Sequence, residues 1–160
     1  MCLNDKDIEF FLKKKAQLFQ HKNKARTYFI MDEKKLDNGE IDILGYFALS
    51  TKVLHLPEEL SNNQRKKIDG LYNSVSEIST FLIGQIAKND CNKDKISGKE
   101  LIDYACSYIE EASEVVGGRI ILVELKNNSK LIKFYEENQF YILPNKTENE
   151  EKLLQMVKII

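Results

Sequence analysis

Between residues 5 and 21 the apolar residues Ile8, Phe11, Leu12, Ala16, Leu18 and Phe19 recur at intervals close to 3.6, with lysines between them. This spacing predicts an amphipathic helix, with Asn4 or Asp5 available to cap it. The pattern then changes to strand-type runs at Thr27–Met31 and Ile41–Val53, and Asp37-Asn38-Gly39 between them supplies turn chemistry, so an antiparallel hairpin is expected. Pro57 breaks the pattern, and Ser61 with Gln64 three positions on forms a capping-box signature for a short polar helix reaching about Leu71. Ile78–Lys88 is mostly apolar and too short for a typical amphipathic helix, which predicts a central strand with Gly84 inside it. Gly98–Val115 carries Leu101, Ile102, Ala105, Ile109 and Ala112 on one face, a second helix ended by Gly117-Gly118. A strand at Arg119–Leu125, a helix from Asn128 to about Asn138, and strands at Phe140–Leu143 and Leu153–Ile159 complete the chain.

The order α-β-β-α-β-α-β-α-β-β predicts an α/β (α+β) fold: a mixed central β-sheet flanked by helices, in three layers. A right-handed crossover joins the strand at 78–88 to a parallel strand at 119–125. No repeat, low-complexity tract or linker interrupts it, so residues 1–160 read as a single domain. Composition agrees: 160 residues, 42% hydrophobic and 31% charged, describe a globular chain, and one of this length buries roughly 70% of its unfolded surface without metals or disulfides. Three cysteines, Cys2, Cys91 and Cys106, with no CxxC and no histidine cluster, argue against a disulfide framework or a zinc site. The longest uncharged run, Ile78–Ala87, is ten residues, against roughly 18 for a membrane span. A cytoplasmic, reduced location with no membrane partner is therefore expected.

A net charge of −1 is not that of a protein devoted to phosphate backbones. Charge is nonetheless local: Lys13, Lys14, Lys15, Lys22, Lys24 and Arg26 make the beginning basic, and Glu148, Glu150 and Glu151 make a late loop acidic. The plain reading of the basic cluster is a solvated helix face. His21 and His55 are the only histidines, and no Ser-His-Asp, HExxH or Walker-type pattern occurs, so no metal is implied.

From Phe81 to Phe140 the strand FLIGQIAK runs into the loop NDCNKDKISGKEL and a helix, and the strand ILVEL runs into NNSKLIKFYEENQF. This order resembles the GNAT superfamily of N-acetyltransferases, which has a strand, a Q/R-x-x-G-x-G/A loop and a helix, then a strand, an asparagine and a helix ending in FYxxxGF. Aligned on Gly98, the six loop positions are Lys93, Asp94, Lys95, Ile96, Ser97 and Gly98. Lys93 exchanges one cation for another, Ile96 stands at the first glycine, and Gln139 stands at the glycine of GF.

The resemblance implies a GNAT-like mixed sheet and acetyl-CoA as co-substrate. The pantetheine arm would lie between Phe81–Lys88 and Arg119–Leu125, pairing with backbone groups of Ile86, Ala87 and Lys88 as an added strand would. The diphosphate would meet the amides that open the Gly98 helix, with Lys93, Lys95 and Lys99 adding charge. The Ile86 N–H would donate to the acetyl carbonyl, and Tyr135 would protonate the leaving thiolate. A phenol with a pKa of about 10 is protonated at neutral pH and can serve a thiolate of pKa about 8.5. Asn128 would cap its helix and bond the pantetheine. No general base stands out; Glu77 and Glu124 are candidates, with water as the alternative.

The stretch FLKKKAQLFQHKNKARTYFIMDE followed by ILGYFALSTKVL is similar to the toxin-type branch of that superfamily. That similarity implies aminoacyl-tRNA as the acceptor and an antitoxin as a partner, beside a protein amine or a small-molecule amine as other acceptors. GNAT proteins commonly form homodimers. The departures at Ile96 and Gln139 keep a second reading open: a GNAT fold that binds coenzyme or protein without catalysis.

Overall fold

The first apolar stripe does form a helix, but one with a widened turn inside it. Lys6–Phe10 (α1) and Ala16–His21 (α2) are α-helical, and the five residues Phe11–Lys15 between them are π-helical. The Ala16 amide donates to the Phe11 carbonyl, a five-residue step. The sequence predicts an unbroken 3.6 period because a one-residue widening barely alters the list of apolar positions. Such π turns are often found at functional sites. The computed structural model describes residues 6–92, 94–144 and 153–160, so Lys93, the cap at Asn4 or Asp5, and the acidic loop at Glu148, Glu150 and Glu151 lie outside the described residues.

Six strands follow the predicted pattern: β1 (Arg26–Met31), β2 (Ile43–His55), β3 (Glu77–Lys88), β4 (Ile120–Leu125), β5 (Tyr141–Ile142) and β6 (Leu154–Ile159). They form one mixed sheet in the order β1-β2-β3-β4-β6-β5. β1 pairs antiparallel with β2, and β6 pairs antiparallel with both β4 and β5. The hairpin connection expected to be a simple turn holds a one-turn helix, α3 (Glu33–Asp37), and the turn follows it at Gly39, whose φ of +79° suits glycine. Lys34, Lys35 and Leu36 are good helix formers, which the Asp-Asn-Gly signal had masked.

The remaining helices are α4 (Asn62–Asp69), α5 (Gly98–Val116) and α6 (Ser129–Glu137). The capping box at Ser61 and Gln64 is present with both of its hydrogen bonds. α5 ends at Gly117 and Gly118, both at positive φ, and the Gly117 amide donates to Ser113.

Two compact units divide the chain, Met1–Ser50 with Ile83–Tyr108, and Thr51–Leu82 with Ile109–Ile160. In the first, Tyr28 stacks on Phe47 at 5.2 Å and meets Tyr108 at 4.5 Å, while the Tyr46 hydroxyl donates to the Ile8 carbonyl at 2.9 Å and ties the first helix to β2. In the second, Leu54, Leu56, Leu60, Ile68, Ile120, Leu122, Leu143 and Val157 form a buried core.

After α6 the chain reverses at Gln139, whose φ is +70°. The amides of Asn138 and Phe140 both donate to the Tyr135 carbonyl, so this left-handed residue closes the helix as a glycine would. A non-glycine residue there costs roughly 1–2 kcal/mol in backbone strain. Glycine's greater chain entropy in the unfolded state offsets roughly 0.5–1 kcal/mol of that, so Gln139→Gly should raise the unfolding midpoint by about 2–4 °C. Thermal denaturation checks it, and an unchanged or lower midpoint would contradict the assigned strain.

Candidate active site

Where β3 ends, Asn89 is fastened twice to the start of β2: its amide donates to the Leu44 carbonyl and its side-chain amide to the Ile43 carbonyl, each at 2.8 Å. A 3-10 turn at Asp90–Asn92 follows, and the Asn92 side chain donates to Asp42 at 2.6 Å. Lys95 reaches back to Asp32 and Asp42 at 2.9 Å each, and Lys35 adds a second ion pair to Asp42 at 3.1 Å. Hydrogen bonds from Lys95 and then Lys35 hold the Asp42 carboxyl down to about 2, and the Lys95 bond also lowers Asp32. The same carboxylates raise the pKa of Lys95. Lys99 pairs with Asp103 at 2.7 Å. The two described lysines expected to add charge for a diphosphate, Lys95 and Lys99, thus direct their ammonium groups at the protein's own carboxylates.

Ile96, at the position of the first family glycine, is only 5% exposed and has no positive φ. Its side chain is packed inward and its carbonyl accepts from Lys88 Nζ at 3.1 Å, so the loop has no need of a glycine there. Asp94 and Ser97 are exposed on the same loop.

Ser97 caps α5. Its hydroxyl accepts from the Glu100 amide at 3.0 Å, and Glu100 Oε2 accepts from the Ser97 amide at 2.8 Å. Hydrogen bonding of Ser97 to the carboxyl, from its amide first and then its side chain, lowers the Glu100 pKa. This second capping box was readable in S-G-K-E, a serine followed three positions later by glutamate. It engages Ser97 and Glu100 and leaves the amides of Gly98 and Lys99, at the first turn of a long helix, as the donors suited to an anion.

Beside this loop, Glu9, Leu12, Lys13, Ile43, Gly45, Tyr46, Ala87, Lys88 and Asn89 line a cavity of about 260 Å³. The π turn supplies Leu12 and Lys13, and Lys13 is paired with Glu9 at 2.6 Å. Gly45 permits a close approach of backbones: a Cβ there would lie 2.9 Å from the Ala87 carbonyl oxygen. Ala87 and Lys88, expected beside the pantetheine, are among the cavity's walls, whereas Ile86 is half-buried and is not. Glu9, Leu12 and Gly45 were not expected at the site; a glycine inside a strand was the available signal.

In the second unit, Tyr135 lies on α6, 7% exposed, with its ring against Phe134 and Phe140 at 5.2 and 5.4 Å. Asn128 caps α6 as expected, its side-chain oxygen accepting from Lys130 and Leu131 at 3.0 and 3.3 Å. Glu124 is held by Lys52 at 2.6 Å and by Gln155 at 2.9 Å, and Glu77 faces His55 at 3.4 Å. Both candidate bases therefore have partners of their own. His21 is exposed.

No protein-family model matches the sequence, and no curated protein matches it either. Solved structures do. AtaT complexed with acetyl-methionyl-tRNAfMet aligns with a TM-score of 0.74 at 23% identity, over 96% of this chain and 83% of that one. This chain has the GNAT fold. A tyrosine-to-phenylalanine mutant of the AtaT toxin, bound to the C-terminus of the antitoxin AtaR and acetyl-CoA, aligns at 0.68 and 18% identity, over 98% and 81% of the two chains. A tyrosine-to-phenylalanine mutant of KacT aligns at 0.71 and 22%, over 95% and 82%. The mixed six-stranded sheet with its helices is shared with these structures. Among the described residues no helix is long and apolar enough to cross a membrane.

The acidic cluster makes stability depend on pH in a defined direction. Because the folded carboxyl of Asp42 sits near 2, below its ordinary 3.8, its contribution is complete above the ordinary value and is lost as pH falls through the folded one. Wild type should lose stability on acidification through this window more steeply than Asp42→Asn, as read from denaturant midpoints across pH. Parallel curves would show that the cluster carries no linkage.

Proposed function

We propose that this protein is an acetyl-CoA-dependent N-acetyltransferase that transfers acetyl directly to a primary amine, with aminoacyl-tRNA as the acceptor. The observation that carries the reading is the fold shared, over nearly the whole chain, with a toxin solved with acetyl-methionyl-tRNAfMet. Acetyl-CoA and an antitoxin accompany AtaT in a second match, which supports the same co-substrate and kind of partner here. A cytoplasmic location and a homodimer accord with the reading.

The residues fit the coenzyme in two respects: the Gly98 and Lys99 amides open a long helix, and the backbone at Ala87 and Lys88 borders a cavity. In the proposed reaction the neutral amine attacks the thioester carbonyl, a C–N bond forms and the C–S bond breaks. The Ile86 amide donates to the developing oxyanion. Tyr135 donates its phenolic proton to the departing thiolate, and the acceptor nitrogen gives its extra proton to water. The backbone at Ile86–Lys88 and the side chain of Asn128 hold the pantetheine, and the loop of Lys93, Asp94, Lys95, Ile96, Ser97, Gly98 and Lys99 bears the diphosphate.

Release of free thiol from acetyl-CoA in the presence of aminoacyl-tRNA, protein and small amines tests the activity. Acetyl-CoA binding without thiol release would favour a non-catalytic module. Tyr135→Phe keeps the ring packed against Phe134 and Phe140. It should lower kcat by about a hundredfold or more, with coenzyme affinity little changed; unchanged kcat would remove the assigned role.

Lys14 and Lys15 are exposed within the π turn, whose Leu12 and Lys13 border the cavity. Lys14→Glu with Lys15→Glu should weaken acetylation of aminoacyl-tRNA in a salt-dependent way while sparing a small free amine. Equal loss with both acceptors would argue against RNA.

A further inference from the structure

We infer that Asp42 is the positioning residue of the coenzyme loop, holding Asn92 and Lys95 from behind so that the start of α5 presents backbone amides. This inference rests on the acetyl-CoA reading of the loop.

The geometry is that of a clamp. Both oxygens of Asp42 are engaged: Oδ1 accepts from Asn92 at 2.6 Å, and Oδ2 accepts from Lys95 at 2.9 Å and Lys35 at 3.1 Å. Asp42 itself is anchored, because its carbonyl accepts from the Asp32 amide at 2.9 Å, and Asp32 adds a second carboxylate to Lys95 at 2.9 Å. Immediately after it, Ile43 and Leu44 hold Asn89. Thus residues 42–44 grip the loop at its first residue, at the end of its 3-10 turn, and at Lys95, two residues before the α5 cap.

The donors used at Asn92 and Lys95 are side-chain nitrogens. No backbone amide between Lys95 and Lys99 is spent on the clamp, and Lys95 N bonds instead to the Asn92 carbonyl at 2.9 Å within the turn. A flexible loop would have to be ordered when the coenzyme arrives; one already tied in place spares that entropy. Lys95 therefore acts on the coenzyme through the backbone and through Asp42. The two roles open to Lys95, strut or phosphate ligand, predict opposite signs for the same substitution. Removing the Asp42 charge loosens a strut, whereas it would free a phosphate ligand.

The experiment measures acetyl-CoA affinity by calorimetry for wild type, Asp42→Asn, Lys95→Met and the double variant, with kcat and the KM for acetyl-CoA. Amide hydrogen exchange of residues 89–98 without ligand is measured alongside. For a clamp, each single change should weaken binding by about fivefold at most. The double variant should be no weaker than the weaker single one, KM for acetyl-CoA should change more than kcat, and loop exchange should be faster in all three. Unchanged or tighter binding by Asp42→Asn, with weaker binding by Lys95→Met, would overturn the inference in favour of direct phosphate contact. Additive losses would also overturn it. If wild type binds no acetyl-CoA, the acetyltransferase reading fails and with it the coenzyme role of Asp42, while faster exchange would still identify the clamp itself.

Discussion

The loop between β3 and α5 has to set where the first amides of α5 stand, although the described residues along it include Asn92, Lys95 and Ile96, whose side chains must be accommodated. In a loop built of glycines this is achieved by leaving side chains out. Here it is achieved by binding them in. Ile96 is buried, Lys95 is drawn to Asp32 and Asp42, Lys99 lies along its own helix on Asp103, and Ser97 is closed by Glu100. Each of these contacts is modest alone, since ion pairs with exposed partners contribute little. Together they fix where α5 begins, and the dipole of that helix is useful to an anion only within its first turn.

The fold was largely legible because its elements announce themselves locally. Helix α5 has five apolar residues on one face and a pair of glycines at its end, and α4 has a capping box that formed as read. The site was legible only in part, for a related reason. Asp42 meets Asn92 across 50 positions and Lys95 across 53, and no local periodicity records such a pairing. Lysine-rich loops look basic in sequence whatever their ammonium groups touch. The π turn escaped notice in the same way, because it changes which residues face the cavity without changing which residues are apolar.

Two departures from the family pattern turn out to be different in kind. At Ile96 the backbone lies outside the left-handed region, so replacing glycine brings no conformational strain and adds a buried side chain. At Gln139 the backbone keeps the left-handed geometry that glycine would take most easily, and the chain bears the strain. The second does not disturb Tyr135 directly: the Asn138 and Phe140 amides still close on the Tyr135 carbonyl, and Phe140 still packs on its ring.

Electrostatic economy also bears on the acceptor proposed above. Between β3 and the first turn of α5, Lys95 and Lys99 are directed to the protein's own carboxylates, whereas Lys14 and Lys15 in the π turn and Lys22 and Lys24 just after α2 are exposed. Lys13, paired with Glu9, stands where that surface turns into the cavity wall. A net charge of −1 and a local preference for phosphate are then compatible, because screening confines the attraction of exposed charges to about 8–10 Å at ordinary ionic strength. What a polyanion meets is the local face and not the sum over the chain. A small amine, with no phosphates to be held, would gain nothing from those lysines, and that difference makes the basic face an argument about the acceptor rather than about the coenzyme.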